Sequence, residues 1–280
     1  MSARSARLRA VVSPTGVAGA VVLTIIGVAV LFAPWLAPFD PKRADYGAIM
    51  RGPSHRHWFG TDDLGHDVLS QTLIGGRATL AIGVVSVVGA LLLGTCIGVV
   101  AGYRGGWTDA TFMRLVDVWL SFPSFLLLLA VVAALGPGVT TIVLAIVIAS
   151  TPSYARAVRG ATLGVRGLDY VLAAQLSGTR SRRIMVAHVV PAISGVVVVY
   201  AALGLGGVIL ATTGLNFLGL GVQPPNPEWG SMLAVGNQYL REAWWMSVFP
   251  GAAIFLTVLG VNLVGASLRD VLDPRLSRRL

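Results

Sequence analysis

The chain has 280 residues, 55% of them hydrophobic and only 12% charged, with a mean hydropathy of +0.78 and a formal net charge of +9. A water-soluble domain carries about a quarter charged residues, so this composition excludes an ordinary soluble fold and makes lipid the main solvent. A basic balance suits either nucleic acid or an anionic membrane surface; the apolar excess selects the membrane and argues against a nucleic-acid partner.

In chain order, Arg4, Arg7 and Arg9 sit in an N-terminal tail, residues 1–14, ahead of an apolar stretch at 15–37. At a rise of about 1.5 Å per residue that stretch crosses a bilayer, and it is longer than the core of a cleavable signal peptide. The loop 38–77 follows, with Asp62, Asp63 and Asp67 as turn and cap residues. His55 and His57 lie two apart in it, but no carboxylate or cysteine nearby completes a metal shell. Spans are expected at 78–101 and 111–135, with Arg114 and Asp117 placed to pair at the start of the latter. Gly136-Pro137-Gly138 turns the chain into a short span at 139–155, so these two form a hairpin. In the polar segment 156–188, Asp169 can cap a short helix from Tyr170 that stops near Gly178. Ser181 can cap a second helix, which carries Arg182 and Arg183 and runs into Pro191. The last spans are 189–211 and 244–268, separated by a loop at 212–243 and followed by a tail at 269–280. Asn262, near the end of the sixth span, reads as an inter-helix hydrogen-bonding group. Trp229, Trp244 and Trp245 read as interfacial anchors. Pro123, Pro152, Pro191 and Pro250 lie in or beside spans, where proline either shapes packing or marks a hinge.

Charge sets the orientation. Fifteen of the 21 Lys and Arg fall in the two tails, the 103–114 segment and the 156–188 segment, and six in the two other loops. Basic residues accumulate on the cytoplasmic side. With an even number of spans, both termini are expected in the cytoplasm.

An ion-coupled transporter needs ionisable groups at membrane depth, and the expected span interiors contain none. The chain also has no GxxxxGK[ST] loop, so it lacks that means of holding ATP. Its single cysteine, Cys96, allows no CxxC metal or cluster site. No serine, cysteine and histidine constellation suggests a hydrolase or an intramembrane enzyme; His188 reads as a polar anchor at a membrane junction. The sequence therefore carries no cofactor site, and energy for active transport would enter through a partner. The 156–188 segment is the natural docking place, because an alanine-faced helix admits another backbone closely. A helix lying on the lipid surface accounts for the same residues.

Specific motifs go further. Leu172-Ala173-Ala174-Gln175-Leu176-Ser177-Gly178, followed by His188-Val189-Val190-Pro191, resembles the EAA loop of bacterial ABC-importer permeases, with Leu172 where the family has glutamate. Gly60-Thr61-Asp62-Asp63-Leu64-Gly65-His66-Asp67 resembles the external GTDxxGRD element of the dipeptide/oligopeptide/nickel branch. The run from Asn216 through Gln223-Pro224-Pro225 to Trp229-Gly230-Ser231-Met232 resembles its SFLGLGVQPPxPxWGxM element, with Thr212 where a glutamate is common. Leu268-Arg269-Asp270-Val271-Leu272-Asp273-Pro274-Arg275-Leu276 resembles its C-terminal element, and this motif together with the long first external loop resembles the second, C-type permease of such importers.

This resemblance implies an all-α, six-span type I importer permease in the bacterial inner membrane. Asp169, Leu172, Ala173, Ala174, Gly178, Arg182, Arg183 and Pro191 would form a cytoplasmic coupling loop against an ATPase subunit. It also implies a second permease, one or two ATP-binding subunits that hold ATP and magnesium, and an extracytoplasmic binding protein. The binding protein would face Asp62, Asp63, Gly65, Asp67, Gln223, Pro224, Pro225 and Trp229. Small, apolar spans without imidazole or oxygen ligands at depth favour short peptides over nickel as cargo.

Overall fold

A computed structural model describes residues 13–272, and among these the fold is all-helical. Arg4, Arg7, Arg9 and the part of the C-terminal motif from Asp273 onward lie outside the described residues. The helices are α1 (Pro14–Leu31), α2 (Ala33–Leu36), α3 (Val68–Arg104), α4 (Gly106–Leu120), α5 (Ser124–Leu135) and α6 (Val139–Arg166). They continue with α7 (Asp169–Leu176), α8 (Ser181–Ile184), α9 (Val190–Phe217), α10 (Trp229–Gln238) and α11 (Trp245–Leu272).

Among the described residues, five helical stretches are long and apolar enough to cross a membrane: α1, α3, α6, the run from α8 into α9, and α11. A sixth span exists if the bent pair α4 and α5 counts as one. The expected 111–135 span is thus corrected. It breaks at Ser121-Phe122-Pro123, and the two halves meet at 87°. Proline at 123 cannot donate to the preceding turn and disfavours helix at residue 122, so an apolar run that reads as one helix becomes two. Other bounds also move. The second span starts at Val68, where Asp67 caps it by accepting from Ser70 N. The fourth runs on to Arg166. At about 1.5 Å per residue, the 37 residues of α3 outreach a ~30 Å hydrocarbon core, so its ends project.

The centre of the fold is the seam between α3 and α6. Gly94, Gly98 and Gly102 recur every four residues and therefore share one face of α3. A Cβ on Gly98 would lie 2.6 Å from the Ala155 carbonyl oxygen and 2.8 Å from Arg159 N. Only glycine lets the two backbones approach this closely. Around the seam, Ile82, Leu128, Ile142, Ile146 and Leu215 form one apolar core, and Val68, Ile209, Trp229 and Trp245 belong to another at the end that carries the 38–67 loop.

Three sequence expectations are corrected by side-chain geometry. Asp117 pairs with Arg156 on α6, not with Arg114. Asn262 donates to Val258 O within its own helix and packs beside Gly206. Trp229 and Trp245 are buried, donating to Thr72 O at 2.7 Å and Thr61 O at 3.0 Å; they are internal crosslinks, whereas Trp244 is exposed.

Candidate functional site

The segment linking α6 to α9 is built around one valine. Val171 on α7 is 0% exposed and packs with Val99 of α3, Val158 of α6, and Ile184, Met185, Val189 and Ile193 at the entry to α9. Ala174, one turn on, packs against the same cluster, and Gln175 Nε2 donates to Tyr103 Oη at 3.2 Å. A helix turns about 100° per residue, so adjacent residues point in different directions. Ala173 is accordingly exposed while Ala174 is half-buried. The two alanines do not share an outward face. The outward edge is Asp169, Leu172, Ala173 and Leu176, with Leu176 90% exposed.

Asp169 is the first helical residue and not the cap, a position taken by Leu168 without a side-chain bond. Its carboxylate still favours the helix N-terminus through the dipole. Ser181 is likewise the first residue of α8, with Arg180 at the cap. Gly178 has φ +74 and follows the end of α7, with Thr179 N returning to Ala174 O, which leaves the helix through the left-handed conformation glycine adopts freely. Arg182 and Arg183 are exposed. Pro191 enters α9 after a wider π turn, Met185–Val189, which accommodates a residue with no N–H to offer.

At the opposite end, the 38–67 loop is folded on its own carboxylates. Asp62 accepts from Leu64 N, His66 N, His66 Nδ1 and Gln71 Nε2 at 2.7–2.9 Å. Asp67 accepts from Ser70 N and Ser70 Oγ, and its other oxygen bonds His57 Nδ1 at 2.9 Å, which corrects the expectation that no carboxylate lies near the two histidines. Gly65 has φ +85, and a Cβ there would run into the Asp45 backbone. Asp62, Gly65, Asp67 and Trp229 are therefore interior supports. Asp63 is half-buried, and its carboxyl is held above its usual range by burial and then by the neighbouring Asp62. Gln223, Pro224 and Pro225 are exposed, beside a Lys42 Nζ to Asn226 Oδ1 bond of 2.9 Å that ties the two loops together.

The sequence reading missed Glu228. It is 0% exposed, accepting from Thr79 Oγ1 (2.7 Å), Gly230 N (2.7 Å) and Ser231 N (3.1 Å), and so caps α10 while fixing it to α3. Burial pushes its carboxyl upward, against the opposing pull of these three donors. The available signal was its place immediately before Trp229-Gly230, at the start of a helix.

Residues 94–278 match the family described as binding-protein-dependent transport system inner membrane component. Residues 3–53 match the N-terminal TM domain of oligopeptide transport permease C. The chain is 40% identical to the dipeptide transport system permease protein DppC of Alkalihalophilus pseudofirmus, over 93% of this chain and 86% of that one. It is 41% identical to the probable D,D-dipeptide transport system permease protein DdpC of Escherichia coli, over 94% and 88% respectively. It is 43% identical to the glutathione transport system permease protein GsiD of Pectobacterium atrosepticum, over 92% and 86%.

Proposed function

The chain belongs to the binding-protein-dependent transport inner-membrane family, and from this premise we propose that it is one of two permeases in an ATP-driven importer of di- or oligopeptides. In this reading both termini and α7 face the cytoplasm, and the 38–67 and 218–228 loops face an extracytoplasmic binding protein. One or two partner subunits bind and hydrolyse ATP with magnesium, and this chain is non-catalytic. The observation that carries the reading is the construction of α7. Its outer edge offers Leu172, Ala173 and Leu176 to a partner, while Val171 is wedged among α3, α6 and the entry to α9. A partner that presses on the outer edge moves the ends of these three spans together, because a close-packed contact passes displacement on instead of absorbing it. The peptide cargo rests on the relatives named for dipeptides and glutathione.

The test is uptake into vesicles containing the whole complex with its binding protein. Labelled dipeptide should enter only with ATP, and a protonophore should have no effect while ATP is held constant. Nickel uptake indifferent to excess di- and oligopeptides would overturn the peptide assignment. Protonophore-sensitive uptake without ATP would overturn the transporter class.

A further inference from the structure

Helix α4 is attached to the rest of the bundle in an unusual way. At its N-terminal end Gly105 and Gly106 have φ of +67 and +53, a pair of joints that other residues would resist. Its C-terminal end is the Ser121-Phe122-Pro123 break, beyond which α5 leaves at 87°. Between these joints Val116 is the one residue of α4 that is fully buried. The seam between α3 and α6, by contrast, is locked by three glycines in backbone contact.

Besides the packing of Val116 and its half-buried neighbours, two ion pairs tie α4 to α6. Asp109 grips Arg159 of α6 with both oxygens, Nε to Oδ1 at 2.5 Å and Nη2 to Oδ2 at 2.6 Å. Two turns further along α4, Asp117 bonds Arg156. The aspartates are eight residues apart, about 12 Å along α4, whereas the arginines are three apart, about 4.5 Å along α6. Two long side chains thus fan from one turn of α6 across two turns of α4. The pairs are unequal. Asp109 and Arg159 are 18% and 31% exposed, against 63% and 53% for Asp117 and Arg156. Bidentate, half-buried pairing is the stronger and more directional arrangement, and exposed pairs contribute little. The Arg159 backbone also lies in the glycine seam, 2.8 Å from where a Cβ on Gly98 would be. The arginine is therefore fixed to the rigid part of the fold.

We propose that the Asp109–Arg159 pair is a clamp that makes the doubly hinged α4 follow α6, delivering movement of the α7 segment to α5. Asp109 and Arg159 are then positioning residues for transport, with Asp117 and Arg156 as an outer auxiliary. The role in transport rests on the importer reading above; the mechanical clamp does not. The chain of contact is continuous. Residue 166 ends α6, residue 169 begins α7, and Val158 of α6 packs on Val171 of α7.

Two measurements test this, both in a Cys96→Ser background and on the complete complex. The first places spin labels at Ala110 and Gly160, both exposed, the latter with open space around it. Asp109→Asn should broaden or shift the distance between them, and the Asp109→Arg/Arg159→Asp double variant should restore it. An unchanged distance in Asp109→Asn overturns the clamp. The second compares peptide uptake per ATP hydrolysed. Asp109→Asn should lower that ratio at least ten-fold in complexes that still co-purify, and the charge swap should recover most of it. An unchanged ratio, or a loss the swap leaves in place, overturns the coupling role. If the unsubstituted complex itself shows no ATP-driven peptide uptake, the importer reading fails instead, and the spin-label result still decides the clamp.

Discussion

Replacing Gly98 by alanine should damage the protein far more than the same change at Gly160, although both glycines are helical. At Gly98 the new Cβ would sit 2.6 Å from Ala155 O and 2.8 Å from Arg159 N, both main-chain atoms of α6. Even a close C–H···O contact is about 3.3–3.6 Å, so roughly 0.7 Å or more is missing, and no rotamer change can supply it. The helices must part, and overpacking of this kind costs about 1–3 kcal/mol. At Gly160 nothing lies within 4 Å. Alanine gains about 0.8–1 kcal/mol of intrinsic helix propensity over glycine at either position, so that gain cancels in the comparison. For a domain of 150–250 residues the remaining difference corresponds to ~2–12 °C in thermal midpoint. The assay is the fraction of purified complex that stays monodisperse after heating, with ATP-driven uptake measured in parallel. Equal midpoints for Gly98→Ala and Gly160→Ala would refute the backbone seam as the centre of the fold.

Gly178→Val should uncouple ATP hydrolysis from uptake, because φ +74 costs a β-branched residue about 1–2 kcal/mol; Leu172→Ala, which loses only surface contact, should matter less, and the reverse order in an uptake assay would contradict the geometry of α7. Glu228 carries a raised folded-state pKa, so its contribution to stability is fully present below the ordinary 4.5 and is lost as pH rises through the folded value. Thermal midpoints should therefore fall with rising pH in the unsubstituted protein relative to Glu228→Gln, and parallel pH curves would remove the buried charge from the account. In a Cys96→Ser background, Gln223→Cys should react with an impermeant thiol reagent in intact cells and Arg182→Cys only after lysis; the opposite pattern would invert the proposed topology.

Five of the six expected spans are legible because lipid demands long apolar helices, and that demand is written in hydropathy. Direction within a span is not. The run stays mostly apolar from Val116 to Leu135, interrupted only by two serines and Asp117, so Pro123 is the main sign that α4 and α5 part there. Pairing across the chain was equally hidden. Arg114 is near Asp117 in sequence, yet Arg156 reaches it because the glycine seam fixes how α6 lies along α3, and with it where α4 meets α6. The roles of Asp62 and Asp67 as turn and cap groups are legible in the sequence, since short carboxylates next to glycine bond local N–H groups. Glu228 goes unnoticed and Trp229 reads as an interfacial anchor for one reason: a polar, proline-rich loop looks solvated in sequence, and only the fold reveals that its end dives between α3 and α9. In α7 the Ala173-Ala174 pair drew attention through composition, whereas the helical turn puts one alanine out and the other in, and gives the most exposed position to Leu176.

The measurement closest to the central claim is site-directed crosslinking from Leu176→Cys, in the Cys96→Ser background, within native membranes that hold the assembled complex. The expected result is a crosslink to an ATP-binding subunit, with a yield that changes when ATP is added, because Leu176 is the most exposed residue of the helix proposed to take that subunit. Labelling of Leu176→Cys by an impermeant reagent from outside intact cells, or a crosslink to the extracytoplasmic binding protein, would contradict it.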